Sequence, residues 1–404
     1  MTDSGKPKVL LLENIHPRAA KRLADAGFAV KSLPQALDPE ALHREIADAF
    51  IIGIRSKTKL TEAALSHAKK LFAVGAFCIG TDQIDLPAAA KRGVAVFNAP
   101  YSSARSVVEM VLGEVLLLSR GVFAKNRKMH SGNWDKSAAG SHEVRGKKLG
   151  IVGYGKIGSQ ISVLAEALGM EVHFHDVEEK LVLGNAKKRR SLAELLKISD
   201  VVTLHVDGRP GNRGLFGRRE FNLMKPGAIF INASRGFVVD EAALAEKIKS
   251  GRLRGAALDV FAKEPRKSGE GFYSPLQGLD QVVLTPHVAG STEEAQTAIG
   301  AFVAERLLDY AQTGGTLHSV NFPNIQLPKV SGVHRVIHIH ENIPGMLAQI
   351  NKVFAARKAN IVEQYLKTNE SLGYAITDIS PSNSRAIARD LAAIKHTIKS
   401  RVLY

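Results

Sequence analysis

The sequence predicts an α/β protein with two Rossmann- or flavodoxin-like parallel-sheet domains and a smaller, ferredoxin-like C-terminal module. Three observations carry this prediction. Continuous apolar runs alternate with helical patterns, as is typical of parallel sheets covered on both faces. A glycine-rich turn joins one such run to a helix. Residues 331–404 instead show the order strand, helix, strand, strand, helix, strand, which describes a βαββαβ module.

The composition limits what the chain can be. Its 404 residues exceed what one hydrophobic core usually holds, so several domains are expected. The single cysteine, Cys78, excludes a disulfide within the chain. No apolar run is long enough to cross a membrane, and the first residues lack the apolar centre of a secretory signal. We therefore expect a cytoplasmic protein that has no membrane partner.

The formal net charge of +16 is compatible with nucleic acid, an anionic membrane surface or small anions as partners. Basic residues are spread over the whole chain, and the densest cluster, residues 187–190, has no aromatic residues interleaved with it. We therefore predict no nucleic-acid partner and interpret that cluster as a solvated face. The positive field suits a phosphorylated or carboxylated metabolite and an anionic cofactor.

The first domain, residues 1–102, is predicted to be a small parallel sheet with its helices. Helices are expected over residues 16–26 and 39–47, between apolar runs. Strands are expected at four of those runs, residues 9–12, 50–54, 71–74 and 94–97.

The second domain, residues 103–295, is predicted to hold a doubly wound sheet entered through a long apolar helix over residues 106–118. Six strands are expected, at residues 149–152, 171–175, 201–206, 228–231, 256–260 and 282–284. Such sheets bind ligands outside the carboxyl ends of their strands. A helix over residues 293–311 then returns the chain to the first domain, and residues 296–330 complete this return and end in a linker.

A glycine motif after the first of these strands predicts a dinucleotide site. Gly153 permits a tight turn, Gly155 lets the backbone approach a pyrophosphate, and Gly158 lets the following helix pack on the strand. The next strand ends at Asp176, where a carboxylate accepts hydrogen bonds from ribose hydroxyls and repels a 2′-phosphate. The expected cofactor is therefore NAD.

Chemically useful side chains follow three later strands of the same predicted sheet. They are Arg235, Glu264 and His287. An arginine can hold a substrate carboxylate, a histidine can take a hydroxyl proton near neutral pH, and a carboxylate can orient that histidine. These groups suit the transfer of a hydride to or from a carbon that bears oxygen.

The order of these motifs resembles that of the D-isomer-specific 2-hydroxyacid dehydrogenases, from about residue 8 to about residue 320. The shared order is Gly-x-Gly-x-x-Gly, an Asp-ended strand, Asn-Ala-Ser-Arg-Gly, Asp-Val-Phe-x-x-Glu-Pro and Thr-Pro-His. The resemblance implies that Arg235 binds substrate and that His287 is the acid/base, oriented by Glu264. Beside Arg235 and His287, it implies cofactor contacts at Lys156, Ile157, Ala233, Ser234, Asp259 and Gly290. It also makes residues 103–295 the NAD-binding domain and the flanking segments the substrate-binding domain.

Further features resemble the family members that act on 3-phosphoglycerate. Arg55, Ser56 and Lys57 follow an N-terminal strand where those members hold the substrate phosphate, and Asn98 lies in a substrate-domain signature, Phe-Asn-Ala-Pro. Position 57 is lysine where the bacterial pattern has arginine, so it meets a phosphate as a point charge. The implied reaction is the NAD-dependent oxidation of 3-phosphoglycerate that begins serine synthesis, with 2-oxoglutarate reduction as a side activity.

The C-terminal module resembles an ACT domain, on the segment His-Ile-His-Glu-Asn that precedes Pro-Gly. This resemblance implies inhibition by L-serine, bound between paired modules of a homo-oligomer that we expect to be a tetramer. His340, Asn342 and Asn360 would contact the serine. Ile343 is an uncharged departure from the pattern. No metal is expected.

Two other functions remain open. The chain could act on another hydroxy acid, such as the reduced forms of hydroxypyruvate or glyoxylate, or it could be a non-catalytic NAD-sensing scaffold like the corepressors of this fold. The joint presence of Arg235, Glu264 and His287 favours an enzyme, since fold alone does not decide function. Arg55 and Lys57 favour a phosphorylated substrate.

Overall fold

A computed structural model describes residues 5–265, 269–381 and 384–404. The chain divides into two compact units, one of Met1–Ser102 with Gln296–Tyr404 and one of Ser103–Ala295. Two sheets with parallel strands and one antiparallel sheet confirm the predicted fold class. In the described part of the chain, no helix has both the length and the apolar character that a bilayer crossing requires.

The first unit opens with a parallel sheet in the order β2-β1-β3-β4-β5. Its elements are β1 (Lys8–Leu11), α1 (Pro17–Asp25), β2 (Ala29–Ser32), α2 (Pro39–Ile46), β3 (Ile51–Ile54), α3 (Glu62–His67), β4 (Ala73–Ala76), α4 (Leu86–Lys91) and β5 (Ala95–Asn98). The sequence missed β2 because this edge strand is largely exposed and has no apolar run. Side-chain caps set the starts of three helices, with Asp38, Thr61 and Asp85 each accepting from a backbone N–H three residues on.

The rest of this unit is a long helix followed by the βαββαβ module. These elements are α11 (Glu293–Thr313), β13 (His334–Glu341), α12 (Met346–Ala356), β14 (Ile361–Thr368), β15 (Leu372–Ile379), α13 (Ser384–Ala392) and β16 (Thr397–Val402). The antiparallel order is β14-β15-β13-β16. The last strand was expected at residues 402–404 and in fact spans Thr397–Val402, since Lys399 and Arg401 interrupt its apolar pattern.

The strands β13 and β15 of this module are covered on both faces within the first unit, whereas the edge strand β14 is largely exposed. One face packs on the module's own helices, through Val336, Ile350 and Phe354. On the other face, Ile337 and Tyr374 belong to the same apolar core as Phe72, Tyr310 and Phe322 of the preceding chain. The terminal module is therefore built into the core of the first unit.

The buried side chain of Arg335 joins β13 to β15 and to the segment that precedes β13. Arg335, which is fully buried, donates to both carboxylate oxygens of Asp378 at 2.7 and 2.6 Å. The same guanidinium donates to the Thr313 and Pro328 carbonyl oxygens at 3.0 and 2.9 Å. Every nitrogen of the side chain thus has an acceptor, which is the condition under which a buried charge is tolerated.

The second unit contains a parallel sheet in the order β12-β11-β10-β9-β6-β7-β8. Its elements are α5 (Ala104–Arg120), α6 (Val122–His130), β6 (Lys148–Val152), α7 (Lys156–Ala167), β7 (Glu171–His175), β8 (Lys187–Lys188), α8 (Leu192–Ile198), β9 (Val201–Leu204), α9 (Arg218–Leu223), β10 (Ala228–Asn232), α10 (Glu241–Lys249), β11 (Leu253–Leu258) and β12 (Val282–Leu284). Short 3₁₀ turns occur at Pro210–Asn212 and Gly236–Val238.

Within the described residues, the sheet of the second unit has seven strands where six were predicted. The additional strand, β8, consists of Lys187 and Lys188, which are exposed and pair with His173 and Phe174 at the sheet edge. The basic cluster is therefore solvated, as expected, but it also forms a strand. The chain crosses over between β6 and β9, and such a crossover is where an open α/β sheet forms its ligand crevice.

Candidate active site

The turn from β6 into α7 has the geometry of a dinucleotide cradle. Gly153 has a φ of 93°, and a Cβ there would lie 2.6 Å from the His205 carbonyl oxygen. A Cβ on Gly158 would lie 2.3 Å from the Gly153 carbonyl oxygen, so only glycine lets α7 pack this closely. A Cβ on Gly155 would meet no atom of the described residues within 4 Å. Gly155 therefore faces the open space that a pyrophosphate can approach.

The positive end of α7 and a fixed carboxylate flank this cradle. Helix α7 begins with Lys156 and Ile157 and has no side-chain cap among the described residues, which suits an anion at its N-terminus. Asp176 directly follows β7 and accepts from the N–H groups of Tyr154 at 2.7 Å and Glu178 at 2.9 Å. These groups fit the pyrophosphate and the adenosine ribose of NAD. Within the described residues, no group of His, Cys, Asp and Glu is placed to hold a metal ion.

The loops after β11 and β12 bring Glu264 and His287 together. The Nδ1–H of His287 donates to Glu264 Oε2 at 2.8 Å, since a carboxylate can only accept. Glu264 Oε1 accepts from the Phe261 N–H at 3.1 Å. With Nδ1 used in this way, Nε2 is the nitrogen that can exchange a proton with a substrate.

The same contact shifts the pKa of both partners. The hydrogen bond from His287 to Glu264 raises the pKa of the imidazole, and burial opposes this more weakly. Burial raises the pKa of the Glu264 carboxyl, but the bond from His287 and the charges of His287 and Arg235 together hold it below its ordinary value. Arg235 lies close enough for its charge to act on both groups. The pair is therefore an ionised carboxylate and a strengthened base.

The backbone of His287 has a φ of 56°, a left-handed conformation that is unusual for a residue with a side chain. Its N–H donates to the Thr285 carbonyl oxygen at 3.0 Å. Such conformations persist where surrounding contacts enforce them, and they concentrate at functional sites. The turn aims the imidazole at Glu264.

Arg235 is presented by a tight loop after β10. Asn232 and Ser234 flank Ala233 in the sequence. Asn232 Oδ1 accepts from both the N–H and the hydroxyl of Ser234, at 3.0 and 2.8 Å. Asn232 Nδ2 donates to the Arg235 carbonyl oxygen at 3.1 Å. At Gly236 a Cβ would lie 1.9 Å from the carbonyl carbon of Phe261, so this loop is packed against the segment that leads to Glu264. The Asn-Ala-Ser-Arg-Gly motif thus encodes a close approach of two loops.

Asp259 has a role that sequence reasoning did not find. It is only 3 % exposed, and its oxygens accept from the Thr285 hydroxyl at 2.6 Å and from the N–H groups of Val288 and Ala289 at 2.8 and 2.9 Å. This carboxylate fastens the loop that carries His287. In the sequence, the hydroxyl of Thr285 in the Thr-Pro-His motif was the feature that could have indicated a buried acceptor such as Asp259. A contact of Asp259 with the nicotinamide remains a prediction, as does one of Gly290, where a Cβ would lie 3.3 Å from Ser103 Oγ.

Glu241 is a second supporting residue that the sequence did not mark. Its carboxylate accepts from the Ala262 N–H at 3.0 Å and from the Ser274 hydroxyl at 2.6 Å. It therefore ties down the loop between β11 and Glu264. An acidic residue in the first turn of a helix is already explained by the helix dipole, so its position gave no further signal.

In the first unit, the predicted phosphate-binding residues follow β3. Arg55 is half-buried, whereas Ser56 and Lys57 are exposed. Asn98, at the end of β5, is buried and donates from Nδ2 to the Ile79 carbonyl oxygen at 2.6 Å. Its amide therefore shapes the loop after β4, and its contact with substrate remains a prediction.

The predicted effector residues are not assembled within one chain. His340 lies at one end of β13, is 2 % exposed and pairs with Gly373 of β15. Asn342 follows it and donates from Nδ2 to the Asn369 carbonyl oxygen at 2.8 Å. These two residues therefore share one end of the sheet.

Asn360 lies at the other end of that sheet. It precedes β14, whose first residue, Ile361, pairs with Ile379 at the far end of β15. Gly373 and Ile379 are six positions apart, which is about 20 Å at about 3.3 Å per residue. A small amino acid cannot touch both ends of this sheet in one copy of the chain.

Family models match two parts of the chain. Residues 112–289 match the D-isomer-specific 2-hydroxyacid dehydrogenase NAD-binding domain. Residues 336–399 match the ACT domain of the acetohydroxyacid-synthase small-subunit type.

Curated relatives match over the whole chain. D-3-phosphoglycerate dehydrogenase of Haemophilus influenzae is 51% identical over 403 residues, covering 100% of this chain and 98% of the relative. The enzyme of the same name from Escherichia coli is 51% identical over 405 residues with the same coverage. Among solved structures, D-lactate dehydrogenase from Aquifex aeolicus, complexed with NAD and lactic acid, is 27% identical with a TM-score of 0.67. That match covers 75% of this chain and 95% of the other.

Proposed function

This chain belongs to the D-3-phosphoglycerate dehydrogenases, within the D-isomer-specific 2-hydroxyacid dehydrogenases, and from that premise we propose how its residues perform the reaction. The reaction is the NAD-dependent oxidation of 3-phospho-D-glycerate to 3-phosphohydroxypyruvate. The observation that carries it is the 2.8 Å hydrogen bond between His287 and Glu264 at the carboxyl edge of the sheet that bears the glycine cradle.

The chain's own residues divide the work between binding and proton transfer. When bound, NAD supplies the acceptor for the hydride that leaves C2 of the substrate. Arg235 holds the substrate carboxylate and the oxygen on C2, through charge-assisted hydrogen bonds. His287 Nε2 accepts the proton of the C2 hydroxyl as the hydride departs, and Glu264 stabilises the imidazolium that forms. In the reverse direction, the same imidazolium returns the proton.

The phosphate of the substrate is assigned to the residues after β3. Arg55, Ser56 and Lys57 offer two cations and a hydroxyl on a half-buried to exposed loop. A phosphate dianion gains from both cations, whereas an unphosphorylated hydroxy acid gains from neither. Reduction of 2-oxoglutarate, an unphosphorylated dicarboxylic acid, is proposed as a side activity.

The proposal is tested by following nicotinamide reduction with 3-phosphoglycerate and with D-glycerate. We expect kcat/KM for the phosphorylated acid to exceed that for D-glycerate by about 100-fold or more, since charge-assisted bonds contribute about 1.5–3 kcal/mol each. The double variant R55A/K57A should lose most of this ratio while retaining its rate on D-glycerate. Equal rates of the wild-type protein on both acids would contradict a phosphate-specific function.

Regulation, assembly and location are proposals that follow from the family. L-Serine is proposed to inhibit from the ACT module, and the separation of Asn360 from His340 in one chain supports a binding site shared by two copies. A homo-oligomer, expected to be a tetramer, would supply that second copy. A cytoplasmic location suits a biosynthetic dehydrogenase. The roles of the segments are proposed as well: NAD binding for residues 103–295, substrate binding for residues 1–102 and 296–330, and regulation for residues 331–404.

A further inference from the structure

The loop after β3 is held by a carboxylate in the turn that follows the neighbouring strand β1. Glu13 follows β1 and is only 7 % exposed. Its Oε2 accepts from the Lys57 N–H at 2.9 Å, and its Oε1 accepts from the Thr58 N–H at 2.7 Å. Both oxygens of one carboxylate are thus used on two consecutive amides of the loop.

The backbone around Glu13 has an uncommon conformation. Glu13 and Asn14 have φ values of 64° and 54°, two consecutive left-handed residues that both carry a side chain. Their N–H groups reach the carbonyl oxygens of Gln35 and Leu33 at 3.3 and 3.4 Å. The chain therefore leaves β1 in a tight turn that points the Glu13 side chain towards β3, and hydrogen bonds to the segment after β2 hold that turn.

A second contact holds the opposite side of the same loop. Gln83 Nε2 donates to the Arg55 carbonyl oxygen at 2.6 Å. The Leu60 N–H, just beyond the loop, donates to the Gln83 carbonyl oxygen at 2.8 Å. The segment from Arg55 to Thr58 is thus clamped between Glu13 and Gln83.

The contacts of Glu13 and Gln83 with this loop determine which of its polar groups can bind an anion. Consecutive backbone N–H groups often bind phosphate directly. Here the amides of Lys57 and Thr58 already donate to Glu13, so these two N–H groups do not bind an anion and the side chains of the loop gain in importance. A buried negative charge close to an anion site also lowers anion affinity by itself. The presence of the Glu13 carboxylate is explained if the affinity gained by holding the loop exceeds the affinity lost through repulsion between the carboxylate and the anion.

We propose that Glu13 is a positioning residue for phosphate recognition, holding the turn so that the side chains of Arg55 and Lys57 bind the substrate phosphate. This inference rests on the proposed function and deepens it by naming what determines the preference for a phosphorylated hydroxy acid. Glu13 acts through the loop and touches neither the reacting carbon nor the cofactor.

The test is steady-state kinetics of E13Q on 3-phosphoglycerate and D-glycerate. A glutamine can accept from one amide but turns its own NH2 towards the other. We expect KM for 3-phosphoglycerate to rise about tenfold with kcat within about twofold, because uniform binding energy is lost. The kcat/KM for D-glycerate should be unchanged. E62Q removes an exposed carboxylate in the first turn of α3 and serves as the matched control, with wild-type values on both acids.

Two further measurements separate positioning from a general loss of structure. Hydrogen exchange of the amides of Lys57 and Thr58 should become faster in E13Q, and NAD affinity should stay at the wild-type value. E13D keeps the charge on a shorter side chain and should restore part of the preference for the phosphorylated acid. Partial recovery in E13D supports the role of the carboxylate.

Each contrary outcome points to a specific failure. Equal losses on both acids, or unchanged discrimination in E13Q while R55A/K57A loses it, would overturn the inference and leave the proposed function standing. If E13Q does not fold, E13D decides, and a wild-type KM for 3-phosphoglycerate despite faster exchange at Lys57 and Thr58 overturns the inference. A wild-type protein without preference for 3-phosphoglycerate would instead overturn the proposed function.

Discussion

The proposed catalytic residues and the predicted effector residues are organised in opposite ways. Glu264 and His287 meet within one unit, at 2.8 Å, and the charge of Arg235 acts on both. His340 and Asn360 lie at opposite ends of one antiparallel sheet. The first set lies together in a single chain, and the second does not.

Sheet topology explains the difference. Neighbouring parallel strands all end at the same edge, so loops after β10, β11 and β12 converge without help from another molecule. In an antiparallel sheet, residues before and after different strands are sent to both ends. Two copies related by a suitably placed twofold axis can bring one end of each sheet beside the opposite end of the other, which would complete such a site. The chemistry therefore belongs to the chain, and the proposed regulation belongs to the assembly.

The largest expected effect tests whether His287 is the acid/base of the reaction. H287A should lower kcat by about 10²- to 10⁴-fold, the usual contribution of general acid–base catalysis, while NAD affinity changes little. Stopped-flow and steady-state assays of nicotinamide reduction measure both quantities. H130A, at the exposed end of α6, is the matched control and should keep the wild-type rate. A near-normal rate in H287A would remove the proposed base from the mechanism.

Glu264 should control the pH at which the base works. Its hydrogen bond raises the pKa of His287, and oxidation needs the neutral imidazole, so the oxidation rate rises as pH increases through that pKa. In E264Q the pKa falls and the acidic limb of kcat/KM moves to lower pH, while kcat drops by about 100-fold, near the lower end of general-base effects. pH–rate profiles of the two proteins provide the comparison. An unshifted limb would show that another group titrates there.

Mixed oligomers test whether the effector site is shared between copies. H340A/N342A and N360A should each weaken serine inhibition by about 30-fold, a typical coupling of about 2 kcal/mol. Oligomers reassembled from the two variants should regain part of the wild-type inhibition, since one of the two proposed serine sites in each mixed pair carries no substitution. If none of the mixed oligomers regains inhibition by serine, these residues act within one chain. Calorimetry of serine binding gives an independent measurement.

The smallest expected effect concerns Asp176 and the choice between NAD and NADP. D176A removes the acceptor for the ribose hydroxyls, so the ratio of NAD to NADP affinities should fall by about tenfold, the equivalent of about 1.4 kcal/mol. Fluorescence titration with both reduced cofactors measures the ratio. E171A, at the exposed start of the same strand, should leave it unchanged. A D176A protein with the wild-type ratio would place cofactor discrimination elsewhere.

Elements with a continuous apolar run or a clear amphipathic face were predicted closely from the sequence. α5 and α11 were expected over residues 106–118 and 293–311 and occupy Ala104–Arg120 and Glu293–Thr313. β2, β8 and β16 were missed or misplaced. These three strands are at least partly exposed, or carry lysine and arginine in their pattern, so pairing with a neighbour and not composition makes them strands.

The sequence by itself determined where the glycine cradle and the carboxylate of Asp176 lie, and it marked His287 and Glu264 as a candidate acid/base pair, because each depends on a local motif after a buried strand. Only the tertiary structure showed that Asp259 and Glu241 hold the catalytic loops, that Glu13 holds the loop after β3, and that Asn360 lies far from His340. A carboxylate that accepts backbone N–H groups leaves no mark on the composition or spacing of its partners. Such contacts join residues distant in the chain, and only the packing of strands brings them within hydrogen-bond distance.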